Sequence, residues 1–340
     1  MDDPDDMPAA SATDTHDFAP FIRTLGRGPG RSRSLTQREA RHAFGMVLRG
    51  EAAREQVGAL LMLLRYRGET IEEATGLVQA ARAHAGLPWG IAVDLDWPSY
   101  ADGRTRGLPW YLLSALLLAG TGMRVLMHGP LVGPGRLPLV AALGLLGIEP
   151  AADAVVVEAR LNARGFAFAA LEGFSPELAD LLALRGVLGL RSPLNTVGRM
   201  LDPAGAAASI DGVFHPAYIA LHLGVAAALG RAVAVLKGGG GEAEWSGAKA
   251  LAVHGGGEVI WPQLADAGKP ASVSAADMVA VWHGTACDPA GAAVVIGTAA
   301  VALHATGRAL DPADAVRRAR ALWAARLEWL KSGWLGARWR

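Results

Sequence analysis

Cysteine is almost absent. One residue, Cys287, stands in 340, so no internal disulfide can form and the chain suits a reducing compartment. Long apolar runs are missing as well. Tyr111–Ala119 and Val140–Ile148 fall short of the roughly 18 residues needed to cross a bilayer and read as buried core. No basic segment followed by an apolar one opens the chain, so no secretory signal is expected and the cytoplasm is the default location. Lysine occurs only at Lys237, Lys249, Lys269 and Lys331, which leaves arginine as nearly the sole cation. The histidines His254, His283 and His304 show no metal spacing and cysteine pairs do not exist, which speaks against zinc. Neither a Gly-x-Ser-x-Gly elbow nor a Walker loop occurs.

What is present describes a globular protein. Hydrophobic residues make up 51% and charged residues 19%, enough to bury a large core in one large and one small domain or in two similar ones. A net charge of zero conceals a polarity. The first twenty residues hold six aspartates and no Lys or Arg, and without them 32 basic residues face 26 acidic ones. Residues 1–20 read as a disordered acidic tail. An arginine-glycine lead follows, FIRTLGRGPGRSRS, carrying Arg23, Arg27, Arg31 and Arg33. It reads either as a phosphate-gripping arm, since arginine forks onto phosphate, or as a solvated linker. A GC-rich coding sequence would explain the arginine bias equally well, so position matters more than count.

Thr36-x-x-Glu39 and Thr70-x-x-Glu73 are capping boxes, and the apolar residues between them recur at helical spacing. The reading is a small all-α domain over 21–90, joined by about 176–200, and a large α/β domain over 91–175 and 201–335. In the latter, Ile91–Val93 reads as a strand, Tyr111–Leu118 as a helix and Met123–Met127 as a second strand ending at His128-Gly129. Further strands are expected at Val155–Glu158, Ala232–Leu236 and Val259–Trp261, and helices at Pro216–Leu229, Ala275–Ala280 and Asp311–Leu330. Alternation of this kind argues for a parallel or mixed sheet flanked by helices. On the last helix Arg317, Arg318, Arg320 and Arg326 read as a solvated face. The loop after the first strand contains Asp94, Asp96, Trp97, Pro98, Tyr100, Arg104 and Arg106. Pro98 has no N–H for a phosphate, while Trp97, Tyr100 and Trp110 can stack bases or pack in the core.

Three segments resemble anthranilate phosphoribosyltransferase and the wider nucleoside phosphorylase class, in order and spacing. They are Leu35–Arg82, Leu184–Pro203 (LRGVLGLRSPLNTVGRMLDP) and Val235–Ser246 (VLKGGGGEAEWS). The second is similar to the family's Arg-x-x-Leu-Gly-x-Arg-Thr-x-x-Asn-x-x-Gly-Pro-Leu-x-Asn-Pro segment. The third is similar to its Gly-x-Asp-Gly-x-Asp-Glu metal loop. The resemblance implies the family's two-domain fold, a homodimer through the helical domain, and a ligand cleft involving His128, Gly129, Arg185, Arg191, Asn195 and Lys237.

Departures bear on activity. The family's Gly-Thr-Gly-Gly-Asp loop is replaced by DWPSYADGR, and its Lys-His-Gly-Asn by Met127-His128-Gly129-Pro130. The serine-rich stretch becomes LVGPGRLPLV, and one of the two metal carboxylates becomes Ala243, leaving Glu244 as a weak magnesium ligand. These changes resemble the divergent YbiB-type branch, which implies nucleic-acid binding. The leading expectation is a degenerate phosphoribosyl-pyrophosphate site. With it goes sequence-nonspecific binding of DNA or RNA through Arg23, Arg27, Arg31, Arg33, Arg104, Arg106 and Arg136. No cofactor is expected, magnesium entering only with retained transferase activity. The alternative is a pentosyl transferase with an unknown acceptor, and a phosphorylated small molecule is a further candidate ligand. No membrane association is expected.

Overall fold

The computed structural model describes residues 15–28, 30–100 and 107–331. Four helices open it: α1 (Thr15–Gly26), α2 (Gln37–Leu48), α3 (Arg54–Arg67) and α4 (Ile71–His84). Both capping boxes form. Thr36 Oγ1 accepts the Glu39 N–H at 3.2 Å and Glu39 accepts the Thr36 N–H at 2.9 Å. Thr70 and Glu73 repeat the exchange at 3.1 and 2.9 Å. Each box satisfies donors that a helix start leaves open. The buried Glu73 also accepts the Leu35 N–H at 2.8 Å, tying the entry of α2 to the start of α4.

Arg33 forks onto Glu39 with two 2.7 Å contacts. That hydrogen bond, helped by those from Thr36, holds the Glu39 carboxyl at about 2, against an ordinary 4.5. A depressed folded value gives stability that is complete above the ordinary value and is lost as pH falls toward the folded one. The stability difference between wild type and Glu39→Gln should therefore shrink between pH 4.5 and 2. Urea titrations across that range check this; a difference independent of pH would rule it out.

Helix α1 shortens the expected tail, because Thr15–Pro20 are already helical. Phe18 and Leu25 are buried in the helical core and anchor it. Residues 1–14 lie outside the described residues. The arginine lead is neither a free arm nor a solvated linker. Arg33 N–H returns to Thr24 O at 3.1 Å, Ser32 N–H to Gly28 O at 3.1 Å, and Arg67 donates to Ser32 Oγ at 2.9 Å. It is a hook held against α3. The same core takes in Leu178, Leu194, Val197 and Met200, from the helices Pro176–Ala183 and Leu194–Arg199 and the residue that follows them.

The second domain surrounds a seven-stranded sheet among the described residues. Its strands are β1 (Leu95–Pro98), β2 (Val125–Gly129), β3 (Phe166–Ala170), β4 (Ala208–Val213), β5 (Val233–Lys237), β6 (Leu251–His254) and β7 (Glu258–Trp261). The order is β3-β2-β1-β4-β5-β6-β7. The first five run parallel and β6 and β7 antiparallel. Parallel strands are covered on both faces: one by the wholly buried helix Trp110–Ala119 and by Pro289–Ala305, which share an apolar core with Trp97, Trp245, Trp261 and Trp282, the other by Val157 and Leu161, which pack with Leu126, Ala167 and Ala169. No helix of the described residues is long and apolar enough to cross a membrane.

Three sequence expectations change. Val155–Glu158 is not a strand but part of the helix Ala154–Arg164. Asp153 accepts the Val156 N–H at its start and a left-handed Gly165 closes it, and these caps outweigh the β preference of three valines. The first strand begins at Leu95, after Ile91–Val93. On the helix Pro312–Lys331, Arg326 is buried rather than solvated: it stacks on Trp323 at 3.5 Å and donates to the Val281 and Trp282 carbonyls. It thereby satisfies open acceptors at the end of helix Ala275–His283.

Candidate functional site

Open α/β sheets place ligands beyond the C-terminal ends of their strands. Here the β1 end is unusual, because Pro98 lies in a central strand. Ser99 gives its N–H to His128 O at 2.8 Å, so alternate residues address β2 and Pro98 faces β4. Pairing with β4 has already stopped at Asp96–Ser209, and the missing N–H leaves no gap in the ladder. Within the segment read as a loop, Leu95–Pro98 is thus strand, and residues 101–106 lie outside the described residues. Trp97, Tyr100 and Trp110 are 0%, 1% and 2% exposed, so they pack in the core and are not placed to stack bases.

The crevice above these strands is filled by protein. Arg136, expected on a nucleic-acid surface, is 4% exposed and points inward. Its Nη1 lies 3.4 Å from Glu242 Oε1 and its Nη2 donates to Ser99 Oγ at 3.2 Å. Ser99 Oγ reaches Glu242 Oε1 at 3.1 Å and Tyr111 Oη at 3.0 Å. A serine hydroxyl has one proton; with Arg136 donating to it, Ser99 donates to the carboxylate and accepts from Tyr111. Glu244 is 7% exposed and accepts the Tyr111 N–H at 3.1 Å. The space left beside Arg136 and Glu242 is about 10 Å³, no more than a water's worth.

The glycine run does not cradle an anion. Gly238, Gly239, Gly241 and Glu242 donate their N–H groups to Val213, Glu244, Gly238 and Gly239 carbonyls, so these donors are spent within the loop. Its glycines serve close approach: a Cβ at Gly212 or Gly238 would meet the Glu242 backbone at 2.1 or 1.6 Å. Lys237 is exposed at the end of β5.

His128 and Gly129 belong to β2 and do not line an open cleft. His128 is fully buried, its Nδ1 3.0 Å from Tyr100 Oη and its Nε2 3.2 Å from Asp96 Oδ1, the latter off a hydrogen-bond axis. Burial raises both the Tyr100 hydroxyl and the Asp96 carboxyl above their ordinary values. Tyr100 therefore keeps its proton and donates it to Nδ1, which leaves Nε2–H facing Asp96. On its other side Asp96 meets Ser209 at 3.3 Å and Arg231 at 3.5 Å. Arg231 reaches Asp202 at 3.1 Å, and Arg82 of α4 donates to the Leu201 and Asp202 carbonyls. This buried chain of polar groups joins the two domains.

A cavity of about 100 Å³ remains open between the domains. Arg65 of α3, then Arg191, Asn195 and Arg199, face Phe214, His215, Tyr218 and His222 from the end of β4 onward. Arg191 and Asn195 were expected in a ligand cleft, whereas Arg185 lies in the short helix Arg185–Leu188 and is not among these lining residues. Arg65, Arg199 and the β4-side residues escaped the sequence reading, although Arg199 carried a signal: it stands where the similar segment has proline. Arg199 donates to Asn195 O at 2.7 Å and Gly241 O at 3.4 Å. Burial lowers its guanidinium from its usual value, opposed by Glu242 and Asp211. At the far face of the helical domain, the exposed Arg23, Arg27, Arg31 and Arg33 line one shallow concavity. Arg104 and Arg106 lie outside the described residues.

Comparison with known proteins accords with this architecture. Residues 19–85 match the helical bundle domain of the glycosyl transferase family. The anthranilate phosphoribosyltransferase of Methylocella silvestris is 32% identical over 59% of this chain and 56% of its own length. The uncharacterized protein YbiB of Escherichia coli (strain K12) is 31% identical over 60% of this chain and 65% of its own. Under two thirds of either relative is thus spanned. The crystal structure of anthranilate phosphoribosyltransferase from Thermus thermophilus superposes with a TM-score of 0.77, covering 94% of this chain and 98% of that one at 24% identity. The Saccharomyces cerevisiae enzyme in complex with PRPP and Mg gives 0.76 at 14% identity, covering 95% and 98%. The chain thus has the fold of anthranilate phosphoribosyltransferase, and its matched segments are similar to that enzyme and to YbiB.

Proposed function

We propose that this chain binds nucleic acid without sequence preference and has given up pentosyl transfer. The observation that carries the reading is the convergence of Arg23, Arg27, Arg31 and Arg33 on one exposed concavity. Clustered arginines neutralise several phosphates at once, and released counterions supply affinity that ignores sequence. The rival reading, transfer onto an unknown acceptor, draws on relatives that carry the enzyme's name and on a structural neighbour bound to PRPP and Mg. The residues present do not fit that metal. Glu242 is engaged by Arg136 and Ser99, Glu244 by the Tyr111 N–H, and no group of three His, Cys, Asp or Glu among the described residues can hold an ion.

Filter binding of single- and double-stranded oligonucleotides against rising salt tests the proposal. The triple variant Arg23→Gln/Arg27→Gln/Arg31→Gln should bind all sequences more weakly, with the log K slope flattened by up to about 0.9 per lost contact on duplex and about 0.7 on single strands. No retention at low salt, with or without residues 1–14, would reject nucleic-acid binding. Pyrophosphate release from PRPP by the purified chain would favour the rival.

A further inference from the structure

We propose that the cavity between the domains is a second site, one that takes a terminal phosphate monoester of a single strand with the adjoining base stacked at its mouth. The inference rests on the nucleic-acid reading but concerns other residues than the surface concavity. Three guanidinium groups, from Arg65, Arg191 and Arg199, line a cavity of about 100 Å³. That is room for one compact anion, not for a whole nucleotide. Two of the five N–H donors of Arg199 are spent on Asn195 O and Gly241 O, so three remain for a ligand. The carboxylates near Arg199 are committed elsewhere: Asp211 lies 2.7 Å from His222 Nδ1 and Glu242 meets Arg136. Glu69, close enough to Arg65 to interact with its charge, is pushed above its ordinary value by burial.

Buried Val213 and His222 form the inner side, while Arg65 and His215 are exposed at the mouth. Phe214 stands there with 52% of its surface exposed, edge-on to His215 at 4.7 Å. A large apolar ring half in water beside arginines is the pairing that single-strand binders use, since every base has a face to stack. A phosphodiester inside a strand carries one negative charge and must enter and leave. A terminal monoester carries about −1.5 to −2 at neutral pH and three acceptor oxygens, which suits three convergent arginines in a compact pocket.

The same thymidine octamer with a 5′-phosphate, a 3′-phosphate or hydroxyls at both ends distinguishes the two sources of a monoester. Wild-type protein should bind one phosphorylated form roughly tenfold more tightly than the hydroxyl form, a gain of about 1.4 kcal/mol. Arg199→Gln and Arg191→Gln should each abolish the preference, and Phe214→Leu should lower affinity for all three octamers without touching duplex. Neutralising Arg23, Arg27 and Arg31 should weaken all three alike and preserve the preference. Should Arg199→Gln fail to fold, Arg191→Gln and Phe214→Leu carry the test. Equal wild-type affinity for the three octamers would overturn the site while leaving the surface reading intact. If no octamer binds, calorimetry with uridine 5′-monophosphate decides: heat that disappears in Arg191→Gln supports the site alone, and no heat removes both.

Discussion

Given anthranilate, PRPP and Mg²⁺, the purified protein should form no phosphoribosyl anthranilate above background, and its gene should not restore growth to a tryptophan auxotroph lacking the enzyme. On the proposed reading, three contacts that the resemblance implies for the family's reaction are missing. The phosphate loop is replaced by strand residues and a proline, the lysine before His128 is Met127, and one metal carboxylate is Ala243. Met127 and Ala243 are each 0% exposed and lie in the main apolar core. One such donor is typically worth about 3–4 kcal/mol of transition-state stabilisation. Three independent losses therefore place turnover at least roughly a millionfold below a working enzyme. Growth of the auxotroph at ordinary expression would show that the filled crevice opens to substrate.

Arg136→Met should destabilise the folded protein by about 3–5 kcal/mol, because it removes a charge partner of Glu242 in a dry site. Arg136 and Glu242 are 4% and 1% exposed, so water cannot replace the lost partner. Removing both charges, as in Arg136→Met with Glu242→Gln, should recover most of the loss, since a buried pair seldom outperforms a neutral replacement of similar volume. Denaturant titration of the wild type, both single variants and the double variant gives the coupling directly. A coupling below about 1 kcal/mol would mean that the pair is solvated and the crevice open.

Local chemistry was readable from the sequence. The two threonine-glutamate boxes, the Asp311-Pro312 helix start and a parallel or mixed sheet all follow from short-range pattern, and the structure contains the boxes, the helix start and a mixed sheet. What failed was depth. Nothing around Arg136 in LVGPGRLPLV says that a carboxylate 106 residues later will draw it inward. Trp97 and Tyr100 beside two aspartates looked like a wet loop, because the partners that bury them come from β2 and from Gly198. Val155–Glu158 went wrong through β-branched propensity, when the informative residues were the caps on either side. Among the site residues that escaped the sequence reading, Arg199 is the one that a comparison of motifs exposes, as it does Arg191 and Asn195.

The chain of buried groups from Arg82 through Asp202 and Arg231 to Asp96 and His128 sets how far the two domains can move. A hinge between them would have to pull Arg82 off two carbonyls and part Arg231 from Asp202 and Asp96, stranding charges in a low-dielectric seam. Enzymes that close over a substrate keep such seams loose, because closing and reopening set the pace of turnover. Here the two lobes are riveted. A gap held by such contacts suits an occupant that fits on arrival rather than one the protein must wrap.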